Sequence, residues 1–216
     1  AAVNVDRTRL VFAANDVVQS LTLTNDSVTP MLLQVWTDAG ETASSPDSSR
    51  TPLVVFPPVF KMQPDELRTL RVMLSSRRSL PGDRESLFWL NIYQIPPEQN
   101  ATDSVTRKLV LPLRLRLKVF IRPHGLKAPT SNDERKLRFS IASQGITITN
   151  PTPWYMSLAV APIKGISIGN IMLAPYEQRD VALSNMPAVG STVDYAVIND
   201  SGNWRTYTAA IMDKEI

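Results

Sequence analysis

The chain of 216 residues contains no cysteine, one histidine and only eight glycines. Without cysteine there is no disulfide scaffold, no thiol nucleophile and no thiolate zinc site. A single histidine, His124, leaves neither a His-rich metal centre nor a Ser-His-Asp triad enough material. It sits beside Pro123 and is expected to be an exposed hinge residue. The glycines are scattered, and neither G-x-G-x-x-G nor a Walker loop occurs. No apolar run approaches the roughly 18 residues of a membrane-crossing helix, so no direct membrane insertion is expected. The start, Ala1 to Arg7, has no basic stretch followed by an apolar block, which fits a cytosolic chain or an exported one whose signal peptide has been removed. A net charge of +3 without a concentrated basic stripe speaks against nucleic acid as a partner. No catalytic residue, cofactor or metal is expected.

What the chain does have is alternation. Hydrophobic residues make up 43%, enough for a packed core, and they recur with period two rather than 3.6. Val17–Asn25, Met31–Thr37, Arg68–Leu74 and Ser86–Ile95 read as strands, preceded by a strand-like start at Val3, Val5, Leu10 and Phe12. Leu53–Phe56 is a short apolar run halted by Pro57-Pro58. The second half repeats the style, with runs around Gly145, at Trp154–Ala161, Gly165–Leu173, Arg179–Met186, Tyr195–Asn199 and Trp204–Met212. Short extended runs with turn signals between them predict an all-β chain built of sandwiches. Proline, glycine and polar residues cluster at Arg122–Asn132, after the longest extended run. The expected division is therefore 1–122 and 123–216, each half about the size of an immunoglobulin-like domain of roughly 100 residues.

The unusual element is 107–121, R-K-L-V-L-P-L-R-L-R-L-K-V-F-I, with leucine at 109, 111, 113, 115 and 117. Fifteen extended residues would span roughly 50 Å, far beyond a common strand of about 5–6 residues. One face is apolar, and the other carries Arg114, Arg116 and Lys118. The plain reading is a core strand whose leucines all point inward. Against it, one sandwich has little depth for such a strand, and Pro112 cannot donate to a ladder, which places the segment at an edge. A long apolar edge invites aggregation unless it serves to pair with another chain.

Several patches in this order resemble the periplasmic pilus-assembly chaperones of the PapD-like, chaperone–usher family. They are Val5-Asp6-Arg7-Thr8-Arg9 with Val11-Phe12, Phe56-Pro57-Pro58-Val59, Asp83 to Trp89 running into Ile95-Pro96-Pro97, and Leu117 to Pro123. Asn150-Pro151-Thr152-Pro153-Trp154, Leu173-Ala174-Pro175-Tyr176 and Ile198 to Gly202 complete the set. The resemblance implies two immunoglobulin-like domains in an L or boomerang arrangement. It implies a chaperone that binds pilus subunits by lending them its long edge strand, then delivers them to an outer-membrane usher, with no reaction catalysed. It also implies a periplasmic location.

On the same resemblance, Arg9 and Lys118 match the cations that anchor the subunit's C-terminal carboxylate, a task suited to a planar guanidinium and an ammonium. Leu109, Leu111, Leu113 and Leu115 match the donor-strand residues that fill the subunit groove, though Leu115 and Leu117 could equally pack inward. Glu85, Arg122 and Asp200 match a charged network between the domains. The short stretch from Pro97 to Val105 matches the short-loop type of these chaperones. Without a subunit, the exposed edge could pair with a second copy. The other reading is a two-domain adhesion or carbohydrate-binding module, and a hydrolase on a β-scaffold is more distant. The loops are rich in Ser, Asp and Pro rather than aromatics, and Trp36, Trp89, Trp154 and Trp204 are expected to pack in cores.

Overall fold

In the computed structural model, which describes residues 3–48, 50–97 and 111–214, the alternating runs become strands and the chain divides into two compact units. The first comprises Ala1–Leu80 with Ser86–Arg122, and the second Pro81–Glu85 with Pro123–Ile216.

The first unit holds β1 (Val3–Val5), β2 (Arg9–Phe12), β3 (Val18–Asn25), β4 (Met31–Asp38), β5 (Leu53–Phe56), β6 (Val59–Met62), β7 (Leu67–Leu74), β8 (Ser86–Ile95) and β9 (Leu113–Ile121). One sheet runs β1-β3-β7-β5 and the other β2-β9-β8-β4-β6. Period two decides what lies between them: Leu21 and Leu23, Leu33 and Val35, Leu70 and Val72, Leu90 and Ile92, and Leu117, Val119 and Ile121 all point into one core. Two changes of sheet shape the unit. The first extended segment is split at Asp6–Thr8: β1 pairs antiparallel with β3, and β2 pairs parallel with β9 in the opposite sheet. Asp6 marks the break, its carboxylate accepting from the Thr22 backbone N–H at 2.9 Å. The second change is at Pro57-Pro58, which carries the chain from β5 in one sheet to β6 in the other. The sequence suggests a stop at these prolines, and a four-residue strand immediately beyond them is too short for alternation to reveal.

The second unit holds α1 (Ser131–Glu134), β10 (Arg138–Ala142), β11 (Gly145–Thr149), β12 (Met156–Val160), β13 (Gly169–Leu173), β14 (Gln178–Ala182), β15 (Thr192–Ile198) and β16 (Trp204–Met212). Its strands run in one hydrogen-bonded order, β13-β12-β15-β16-β10-β11-β14. The long β16 joins the two halves: it pairs antiparallel with β15 and parallel with β10 through Phe139↔Ile211 and Ser140↔Met212. Phe139, Ile146, Ile148, Leu158, Tyr195 and Ile211 fill the core between them.

A one-turn helix stands where a loop is expected. Thr130 caps it, its Oγ1 accepting from the Asp133 N–H at 3.4 Å while Asp133 Oδ2 accepts from the Thr130 N–H at 2.8 Å. The turn delivers Glu134 into the unit, where its fully buried carboxylate accepts from Tyr207 Oη at 2.6 Å and pairs with Arg205 Nε at 2.8 Å. Tyr195 Oη donates to the Glu134 carbonyl at 2.9 Å. Glu134→Ala is expected to destabilise the chain by about 2–3 kcal/mol, because it strips a buried hydroxyl of its charged acceptor. An unchanged urea midpoint would show that the carboxylate contributes nothing net.

Candidate functional site: the open edge of β9

β9 pairs antiparallel with β8 along its whole length, from Leu113↔Gln94 to Ile121↔Ser86. On its other side β2 covers only the last four residues, from Lys118↔Arg9 to Ile121↔Phe12. Among the described residues, Leu113–Leu117 thus have no strand on that side. A cleft of about 540 Å³ opens there, lined by Val3, Val5, Arg7, Gln94, Leu113 and Leu115. The ladder starts immediately after Pro112, as a residue without an N–H requires. The described strand is therefore nine residues, Leu113–Ile121.

The leucines on this strand do not share one environment. Leu111, which lies before the strand, is 63% exposed, and Leu113 is 49% exposed. Leu115 is half-buried against the core of the first unit, and Leu117 is buried within it at 6%. Leu109 and the Pro97–Val105 connection lie, all but Pro97, outside the described residues. The apolar face changes along its length from solvent-facing to core.

Arg9 and Lys118 meet where the open edge ends. They are direct cross-strand partners in the parallel β2–β9 pair, and the Arg9 guanidinium lies 5.7 Å from the centre of the Phe120 ring. Burial first, and then the Arg9 charge, hold the Lys118 ammonium below the ordinary lysine pKa. Two like charges held together in a half-buried position favour an arriving anion, and a carboxylate matches their donors.

The charged triad suggested by the sequence is divided between the units. Glu85 is buried in the second unit, where its N–H donates to Pro153 O at 2.9 Å and its Oε1 accepts from the Tyr155 N–H at 2.9 Å. Asp200, in the same unit, is exposed in the turn between β15 and β16. Arg122 is buried in the first unit, its N–H donating to Phe12 O at 3.0 Å. His124 is exposed. Of the four tryptophans, Trp154 is buried in a core, but Trp204 is 46% exposed at the start of β16. Trp36 and Trp89 lie on the outer face of the sheet, beneath Arg114 and Arg116. That outer face also holds residues without a sequence signal of their own, Asp38, Ser44 and Asn91, which gather around the two arginines of β9.

The chain matches the family model described as pili and flagellar-assembly chaperone, PapD N-terminal domain, over residues 2–127. It matches that of the pili assembly chaperone PapD, C-terminal domain, over 132–209. It is 32% identical over 202 residues to chaperone protein MrkB of Klebsiella pneumoniae, covering 92% of this chain and 86% of the relative. It is 30% identical over 214 residues to chaperone protein FimC of Escherichia coli K12, covering 99% and 86%. Among solved structures, the CupB2 chaperone of Pseudomonas aeruginosa is similar with a TM-score of 0.79 at 32% identity, covering 96% of this chain and all of that one. The Salmonella enterica SafB chaperone, solved in complex with the SafA pilin, gives a TM-score of 0.82 at 25% identity, covering 97% and 96%.

Proposed function

This chain belongs to the PapD family of pilus-assembly chaperones of the chaperone–usher pathway, and from that membership we propose that it works in the periplasm by lending β9 to pilus subunits and passing them to an outer-membrane usher. The observation that carries this reading is the open edge of Leu113–Leu117, flanked by exposed Leu111 and Leu113 and ending on the paired cations Arg9 and Lys118. A subunit whose sandwich lacks a strand exposes an apolar groove and unpaired backbone groups, both costly in water. The open half of β9 offers what such a groove needs: a row of N–H and C=O groups and leucine side chains at every second position. Arg9 and Lys118 would receive the subunit's terminal carboxylate and so set how far the two chains slide along each other. The chemistry is association only, in keeping with a family of chaperones rather than enzymes.

Without a subunit, the same edge is free to pair with β9 of a second copy. The function is tested by co-expressing the tagged chain in a periplasm with the fimbrial subunits of its own operon and identifying what co-purifies. Recovery of a subunit in equimolar complex is expected. Purification of the chain alone, with the subunits present and degraded, would refute the reading.

A further inference from the structure

The face of β9 opposite the cleft carries a polar network centred on Asp38, at the end of β4. Its carboxylate is fully buried. Oδ1 accepts from Arg116 Nη2 at 2.7 Å and from the Gly40 N–H at 2.8 Å. Oδ2 accepts from Asn91 Nδ2 at 2.6 Å and from Ser44 Oγ at 2.9 Å, with Arg114 Nη2 at 3.6 Å. Arg114 donates in turn to Asn91 Oδ1 at 2.9 Å, to Ser44 Oγ at 3.1 Å and to the carbonyl of Thr42. The guanidinium groups of Arg114 and Arg116 lie 5.2 and 4.8 Å from the ring centres of Trp36 and Trp89. Burial alone would raise the Asp38 pKa, but the donors Asn91, Gly40 and Ser44 and the charge of Arg116 outweigh it and hold the carboxyl below its ordinary value.

This network lies where the strand has least else to fix it. Among the described residues, Leu113–Leu117 have a ladder on one side only, and Leu113 is exposed, so core burial constrains the register weakly at that end. A slip of one residue would turn every side chain to the other face of the sheet. It would also pull both arginines off a buried carboxylate, leaving a buried charge uncompensated, which is a severe penalty. We propose that Asp38 is a positioning residue for strand donation: through Arg114 and Arg116 it holds the open half of β9 extended, in the register that keeps Leu113 and Leu115 on the cleft side. The role in donation rests on β9 being the lent strand, while the hold on β9 does not.

The test is amide hydrogen exchange, read by peptide mass spectrometry on the full chain, native and Asp38→Asn. The amide replaces an acceptor by a donor that faces the donors already there. Exchange over 113–117 should accelerate about tenfold or more while β3, β7 and the second unit keep native rates. No acceleration at 113–117, or equal acceleration throughout the first unit, would overturn the proposal, the latter showing a merely structural residue. If Asp38→Asn does not accumulate, Ser44→Ala, which removes one donor from the carboxylate, is read on the same peptides against the same two outcomes. The consequence for donation is read on the subunit that co-purifies with the native chain. Its complex with Asp38→Asn should dissociate about tenfold faster or more than the native complex. Equal dissociation from both chains would overturn the role in donation. Failure of the native chain itself to capture any subunit would instead refute the proposed function, leaving the exchange result to decide on the hold alone.

Discussion

A chain carrying Arg9→Ala and Lys118→Ala together folds as the native chain does and captures no subunit. Both side chains are half-buried at the rim of the first unit, and neither belongs to its apolar core. The two cations repel each other across the β2–β9 pair, which is one reason the free chain is expected to tolerate their loss. In the complex they would be the partners of a carboxylate taken out of water. Each charge-assisted hydrogen bond contributes about 1.5–3 kcal/mol, so each single variant should weaken capture roughly ten- to a hundredfold. The double variant additionally leaves the carboxylate buried without a counter-charge, which costs several kcal/mol more. Circular dichroism and a periplasmic pull-down, run side by side, separate folding from capture. Normal subunit recovery by both single variants would remove Arg9 and Lys118 from the site. A pH titration adds a sign. Because Lys118 is held below the ordinary lysine value, it discharges before a solvated lysine would as pH rises. Capture should therefore fade on the alkaline side below the usual lysine pKa, and an Arg9→Ala background should move that limb upward.

Leu113→Glu and Leu117→Glu should fail in opposite ways although they stand on the same face of one strand. Leu113 is half exposed in the free chain, so a glutamate there changes stability by little. In the complex the same carboxylate would enter an apolar groove without a partner, and capture should be lost. Leu117 is in the core of the first unit between the sheets. A glutamate there buries a charge with no counter-ion and should unfold that unit, a loss above about 4 kcal/mol. Size-exclusion chromatography with the subunit and thermal melting of each variant distinguish the two. An intact complex with Leu113→Glu would return that leucine to the structural residues. A cooperative melt near the native temperature for Leu117→Glu would contradict its burial.

Most strands were legible because alternation is a local property. Val18–Asn25, Leu67–Leu74 and Ser86–Ile95 lie within a residue or two of the expected runs, since side chains that point alternately to core and solvent leave a period of two in the sequence. The misses have physical reasons too. Val59–Met62 is too short to show a period after two prolines. The helix at Ser131–Glu134 is one turn and rests on a capping box and a buried glutamate, not on any apolar face. Trp36 and Trp89 were expected in a core because aromatics at strand positions usually pack there. Trp36 is indeed buried, at 8%, but neither ring joins the core between the sheets: both floor a charged network on the sheet's other face, where the arginines above cover them.

The sequence by itself determined the all-β character and the family, and it pointed to Arg9 and Lys118 as a pair, each carried by its own local motif. Only the tertiary structure decided that those cations are cross-strand neighbours, that β2 begins opposite Lys118 so that no strand among the described residues covers Leu113–Leu117, and that a carboxylate at Asp38 reaches both Arg114 and Arg116. The reason is range. Period and turn chemistry act over a few residues and are written into the chain. Which strand lies beside which, and which edge is left open, follows from how distant segments pack into one core, and no local pattern records it.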